Sequence, residues 1–221
     1  MKIEHIFENK NYLDEIISQA RIGRACSDSN AIGGALSEMT LCKVFNKNNK
    51  KHKLLNVKLL GLIKDKYKID YSSFAKDYED LIQKTKSAFG PCSAADFFLF
   101  EVPKRSMLTM IDAASLKTTI PKGNGKSDSS KVWIHNDPDS HIYDLIKNKK
   151  VTSKTNIGKV ITLILREGKA RVYLFDGFLE PLLKNFKIKS NKKGRQTISI
   201  HLVHKNYRKG KAQIGEIINR N

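Results

Sequence analysis

The hydrophobic period of this chain changes at Gly90-Pro91, and no other feature limits its possible folds as strongly. Upstream, Leu13, Ile16, Ile17 and Ala20 recur at helical spacing, which predicts an amphipathic first helix. A second helix is expected through Ala35, Leu36, Met39 and Leu41, with Asp28, Ser29 or Asn30 in position to cap it. The run KNNKKHK at 47–53 reads as a solvated loop, and the apolar run after it fits helix or strand equally. A third helix is expected over 71–87. It must end at Gly90-Pro91, because a proline disfavours helical backbone in the residue before it.

Downstream the signal is strand-like. Residues 94–102 (AADFFLFEV) and 107–118 (MLTMIDAASLKT) flank the turn-prone Pro103-Lys104-Arg105-Ser106, so a hairpin is expected. A polar loop at 122–130, a strand at 132–135 and a small helix near 141–147 follow. A second hairpin, 160–166 with 170–175, turns on Glu167-Gly168. Ile198, Ile200 and Leu202 alternate with Thr197, Ser199 and His201, as in a strand buried on one face. Helices first and strands after predict an α/β (α+β) fold, with a central mixed sheet and N-terminal helices. At 221 residues the chain is expected to form a single domain, 1–221, with a basic, β-rich part from about 150 to 221.

The formal charge of +19 opposes compaction unless a partner neutralises it. Its distribution is uneven. Residues 1–46 hold five Lys and Arg against six acids, whereas residues 146–221 hold nineteen against four. A lysine-rich codon bias would spread the charge, while a phosphate-binding surface concentrates it, so nucleic acid is the expected partner. No basic amphipathic helix with a wide aromatic face argues for a membrane surface. The start, MKIEHIFENKNYLDEII, lacks the apolar core of a secretion signal, and no window approaches about eighteen apolar residues, so a cytoplasmic location is expected. Cys26, Cys42 and Cys92 form no CxxC pair and have no histidine at zinc spacing, which argues against a zinc finger or a disulfide framework.

Asp96 and Lys117 carry the candidate chemistry, since consecutive strands of one hairpin bring a carboxylate and an ammonium together. Hydrolysis of a phosphodiester needs carboxylates to hold Mg²⁺ and a lysine to orient or deprotonate the attacking water. Glu38, on a helix opened by Ile32-Gly33-Gly34, is a further candidate ligand, because small residues let that helix approach a sheet. Gly23, Gly33 and Gly34 fit neither GxxxxGK[ST] nor GxGxxG, so a nucleoside triphosphate site is not indicated. His135-Asn136-Asp137 lacks the further histidine and the zinc cysteines of an HNH nuclease.

With these residues in place, the stretch from about 30 to 120 resembles the PD-(D/E)xK nuclease superfamily of restriction endonucleases and mismatch-repair nicking enzymes. The resemblance rests on Glu38 in IGGALSE, on Asp96, and on Ser115-Leu116-Lys117 in LKTTIP, with eighteen residues between Asp96 and Ser115. Two features depart from the family pattern. No proline precedes Asp96, and Ser115 stands where the family has an acid, as in its Ser-x-Lys members, which recruit an acid from further along; here Asp128, or Asp137, would serve.

The resemblance implies a restriction-endonuclease-like fold and a Mg²⁺-dependent type II endonuclease that cuts double-stranded DNA as a homodimer. Glu38, Asp96 and Asp128 would hold the metal, Lys117 would orient water, and Ser115 would complete the catalytic triplet. Phosphate and base contacts are expected from Lys159, Arg166, Lys169, Arg171, Lys192, Lys193, Arg195, Gln196 and Arg208. The competing expectation is a non-catalytic DNA- or RNA-binding protein in which Asp96 and Lys117 are structural. Asp112 and Glu101 are rival carboxylates, read as ordinary charges.

Overall fold

In a computed structural model, three helices open the chain: α1 (Glu4–Glu8), α2 (Lys10–Cys26) and α3 (Asn30–Asn48). The structure describes residues 1–26, 30–56, 67–70, 95–102, 107–119, 129–135, 141–155, 158–166, 169–175, 178–183, 186–190, 196–203 and 218–219. The stripe Leu13, Ile16, Ile17 and Ala20 on α2 is buried, as its spacing predicts. On α3 the buried side chains Leu41, Cys42 and Phe45 carry the helix on to Asn48, two residues into the expected loop. β1 (His52–Asn56) then begins inside that same run. Asn46 makes this tight connection possible. Its amide donates to the Leu54 carbonyl and accepts from the Leu54 N–H, both at 2.8 Å, acting as a strand neighbour for β1. The expected helix at 71–87 lies outside the described residues.

β2 (Lys68–Asp70), β3 (Phe97–Glu101) and β4 (Met107–Thr119) follow, then β5 (Ser129–His135), α4 (His141–Lys147), β6 (Lys159–Arg166) and β7 (Lys169–Phe175). The chain continues through α5 (Leu179–Leu182), β8 (Phe186–Ser190), β9 (Gln196–Val203) and β10 (Ile218–Asn219). Both expected hairpins form antiparallel pairs, β3 with β4 and β6 with β7. β5 starts at Ser129, three residues before the expected strand, because the whole of 129–135 pairs with β9.

The larger sheet has the order β1-β3-β4-β6-β7-β10, with β2 also pairing to β4. It is mixed: β4 runs antiparallel to β3 but parallel to β2 and β6. Thr109 pairs with both β2 and β3, and Ala114 with both β3 and β6, so β2 and β6 share one edge of β4. Between them on that edge lie residues 110–113.

Alternation along the strands gives the sheet two apolar faces. Phe97, Leu99, Ala114, Leu116, Ile161 and Leu163 pack against α1, α2 and α3. Val160, Ile164, Tyr173 and Phe175 pack against α4 and a smaller sheet of order β5-β9-β8. The architecture is therefore α+β, with an open mixed sheet covered by the N-terminal helices on one face and by α4 and the smaller sheet on the other. Among the described residues, no helix is long and apolar enough to cross a membrane.

Candidate functional site

β4 carries charged side chains on both of its faces, in two different environments. On the face away from the N-terminal helices, Lys117 Nζ lies 2.7 Å from Asp96 Oδ2. Asp96 stands just before β3, where its N–H donates to the Ala114 carbonyl at 3.0 Å and fixes it beside β4. Its Oδ2 also accepts the Leu116 N–H at 3.1 Å. The carboxylate is thus held by a backbone donor and an ammonium from adjacent residues of one strand. Lys117 and Asp96 keep 27% and 21% of their side-chain surface, so water and a substrate can reach them.

Ser115 shares this face by alternation and is fully buried opposite Val160. Thr162 is the register partner of Lys117 on β6. It is fully buried, and its hydroxyl has no hydrogen-bond partner among the described residues. A buried hydroxyl left without a partner carries a desolvation cost, which an incoming polar group would offset.

On the opposite face the charges are sealed. Lys159 Nζ lies 2.6 Å from Glu4 Oε2 and 2.7 Å from Asp112 Oδ2. Asp112 Oδ2 also accepts the Ile3 N–H at 3.0 Å, and its Oδ1 accepts the Ala113 N–H at 3.0 Å. The three side chains keep only 10%, 16% and 4% of their surface. Burial works against the charge on Lys159, but its bonds to Asp112 and then Glu4 outweigh it, and the ammonium titrates above its ordinary range. For Glu4, burial pushes the carboxyl up, yet the Lys159 hydrogen bond and charge win, and it titrates below its ordinary range. This network ties the first residues of the chain to β4 and β6. Exposure decides which pair is suited to chemistry, and it favours Asp96 with Lys117.

Lys159 therefore corrects the expectation that placed it on a phosphate-contacting surface: it is 8% exposed and engaged by two carboxylates. Asp112 is likewise no ordinary surface charge. Its position inside the apolar run MLTMIDAASL was the available signal, because a carboxylate in a buried strand requires donors.

Glu38 lies on α3, half-buried and one turn before Cys42. The Cys42 thiol is pushed up to about 12, mainly by burial, with the charge of Glu38 acting in the same direction. α3 packs on the Leu116 face of β4, whereas Ser115 and Lys117 alternate onto the other. Asp128 and Asp137 lie outside the described residues, as do Lys192, Lys193, Arg195 and Arg208. Arg166 and Lys169 face each other in register at the ends of β6 and β7, Arg171 pairs with Ile164, and Gln196 opens β9 opposite Ser190.

For Mg²⁺, the described donor at the exposed pair is the Asp96 carboxylate, with Oδ1 turned to no partner among the described residues. No group of three or more His, Cys, Asp or Glu suited to a metal occurs among the described residues. Mg²⁺ is bound by as few as one or two carboxylates, with water and phosphate oxygens completing its shell, so Asp96 meets the lower requirement. Comparison with protein-family models, with curated proteins and with solved structures finds no match to this chain.

Proposed function

We propose that this chain is a Mg²⁺-dependent endonuclease of the type II restriction kind, hydrolysing phosphodiester bonds in double-stranded DNA and acting as a homodimer in the cytoplasm. One observation carries the reading: a solvent-reachable lysine 2.7 Å from a carboxylate, on adjoining segments of one hairpin. The open mixed sheet packed against N-terminal helices supports a restriction-endonuclease-like fold. Bound Mg²⁺ would supply a Lewis acid for the scissile phosphate. Asp96 would hold it through Oδ1, with Asp128 as a further ligand; Glu38, on the helix that packs against the opposite face of β4, is not part of this set. Lys117 would then turn from Asp96 to orient the attacking water and offset the charge growing at phosphorus. The unpartnered hydroxyl of Thr162 adds a polar group beside Lys117.

The test is incubation with methylated and unmethylated plasmid in Mg²⁺. Wild type is expected to cut, and Lys117→Ala and Asp96→Asn to lose at least about 100-fold in rate, the lower end for loss of a positioned acid or base. Folded protein that cuts neither DNA, or a fully active Lys117→Ala, would sink the reading.

A non-catalytic nucleic-acid-binding protein is the second reading. It is favoured by the full burial of Ser115 where the family has an acid. Salt-sensitive binding with no cleavage under any divalent ion would select it.

A further inference from the structure

Helix α4 runs out into a turn that concentrates exposed lysines. Lys147, Lys149, Lys150 and Lys154 are all exposed, and none of them forms an ion pair among the described residues. Between 141 and 158 the one acid is Asp144, a turn upstream of Lys147. The backbone orders this segment. The Lys150 N–H donates to the Leu145 carbonyl at 2.8 Å and the Lys149 N–H to the Ile146 carbonyl at 3.2 Å, the two bonds of a Schellman cap. Thr155 ties down the far end: its hydroxyl accepts the Thr152 N–H at 3.0 Å, and its carbonyl accepts the Leu179 N–H at 2.9 Å. Lys149 holds the left-handed position of the cap, at φ 55°, where glycine is favoured and a Cβ crowds the next carbonyl. Among the described residues it is the one non-glycine with positive φ. A lysine kept there at a conformational cost indicates a use for its charge.

We propose that this turn grips the phosphate backbone of double-stranded DNA through Lys147, Lys149, Lys150 and Lys154. The proposal rests on the nucleic-acid reading above and deepens it by assigning the contact to one segment. Four exposed, unpaired ammonium groups on an ordered turn are complementary to a polyanion, which argues for the occupant. The helix dipole favours cations only near the last turn of α4, which accounts for Lys147 but not for Lys154, seven residues past the helix end. Position in the fold agrees. α4 packs on the sheet face to which Ser115 and Lys117 alternate, and the chain after the turn enters β6 at Lys159. Lys159 pairs with Ala114, whose carbonyl anchors Asp96. Lys154 stands five residues from Lys159, at most about 17 Å of extended chain, so the turn lies within about one helical repeat of a duplex at Asp96. The turn after α3 is also rich in lysine, but α3 covers the opposite face. A lipid surface is disfavoured because Val151 is the one apolar side chain between 147 and 154.

The experiment uses the full chain in EDTA with a fluorescein-labelled 20-base-pair duplex, read by anisotropy over a KCl series. Each lost phosphate contact lowers the steepness of log K against log[KCl] by about 0.9, so Lys147→Gln/Lys149→Gln/Lys150→Gln/Lys154→Gln should flatten it by about 3.6. Lys43→Gln/Lys47→Gln/Lys50→Gln/Lys51→Gln removes the same charge from exposed positions at the end of α3 and should keep the wild-type slope. Lys149→Gly alone separates binding from folding. It should raise the urea midpoint by relieving the left-handed backbone, while flattening the slope by about 0.9. A folded 147–154 variant with the wild-type slope, a Lys149→Gly that binds as wild type does, or an α3 variant flattened equally overturns the assignment and leaves the nucleic-acid reading standing. Wild type that fails to bind duplex overturns both.

Discussion

Replacing Lys159 with methionine removes the ammonium that neutralises two carboxylates while keeping much of the side chain's volume. Glu4 and Asp112 are then left charged beneath the N-terminal helices, 2.6 and 2.7 Å from where the ammonium stood. Breaking a buried pair by deleting one partner costs about 3–5 kcal/mol. Two features hold the cost near the lower end. Asp112 keeps its hydrogen bonds from Ile3 and Ala113, and Glu4, at 16% exposure, has a path to water. A loss of about 3 kcal/mol is large against a typical stability of about 5–15 kcal/mol. For a domain of this size it lowers Tm by roughly 6–12 °C. Urea unfolding followed by circular dichroism measures it, with the m-value as a check that the unfolded state has not changed. Adding Glu4→Gln and Asp112→Asn to Lys159→Met removes the orphaned charges and should recover at least half of the loss. A single variant within about 0.5 kcal/mol of wild type, the range of ordinary surface changes, would refute the account. So would a triple variant no more stable than the single.

The same network fixes a pH dependence. Glu4 titrates below its ordinary 4.5, so its contribution is complete above that value and is lost as acid carries the pH through its folded range; unfolding midpoints in urea should fall there, and less in Glu4→Gln. Lys159 titrates above its ordinary 10.5, so its contribution holds below that value and is lost only at more alkaline pH. Asn46→Ala strands both backbone groups of Leu54 and should cost about 1–3 kcal/mol, with faster hydrogen exchange at Leu54 than at Leu99 as the local readout. The Cys42 thiol, pushed up to about 12, should react with a disulfide reagent at pH 8 no faster than the protein unfolds; rapid labelling of Cys42 in a Cys26→Ser/Cys92→Ser background would contradict its burial.

Much of the fold was legible because its signals are local. The stripe Leu13, Ile16, Ile17 and Ala20 marks its helix by spacing alone, and α4 begins and ends where the pattern around His141–Lys147 places it. The hairpins at Asp96–Lys117 and at β6–β7 follow from alternation interrupted by turn residues. β8 was not read, since the alternation in Phe186–Ser190 is short and lysine-rich and becomes a strand only by pairing with β9. The end of α3 was misplaced for a similar reason. Lys47 and Asn48 look like loop residues, and what holds the helix there is packing through Phe45 and the Asn46 bridge to Leu54.

The sequence by itself determined the helix-then-strand order, the concentration of positive charge after residue 146, and the meeting of Asp96 with Lys117, which a single hairpin enforces across twenty residues. Only the tertiary structure decided that Lys159 is an interior cation, since its partners lie 155 and 47 residues away in the chain. It also decided that β5, β9 and β8, far apart in the chain, come together as a second sheet. Periodicity is a property of neighbours along the chain and survives in the sequence. A charge's partner is chosen by which strands lie side by side, and that choice is made by the core as a whole.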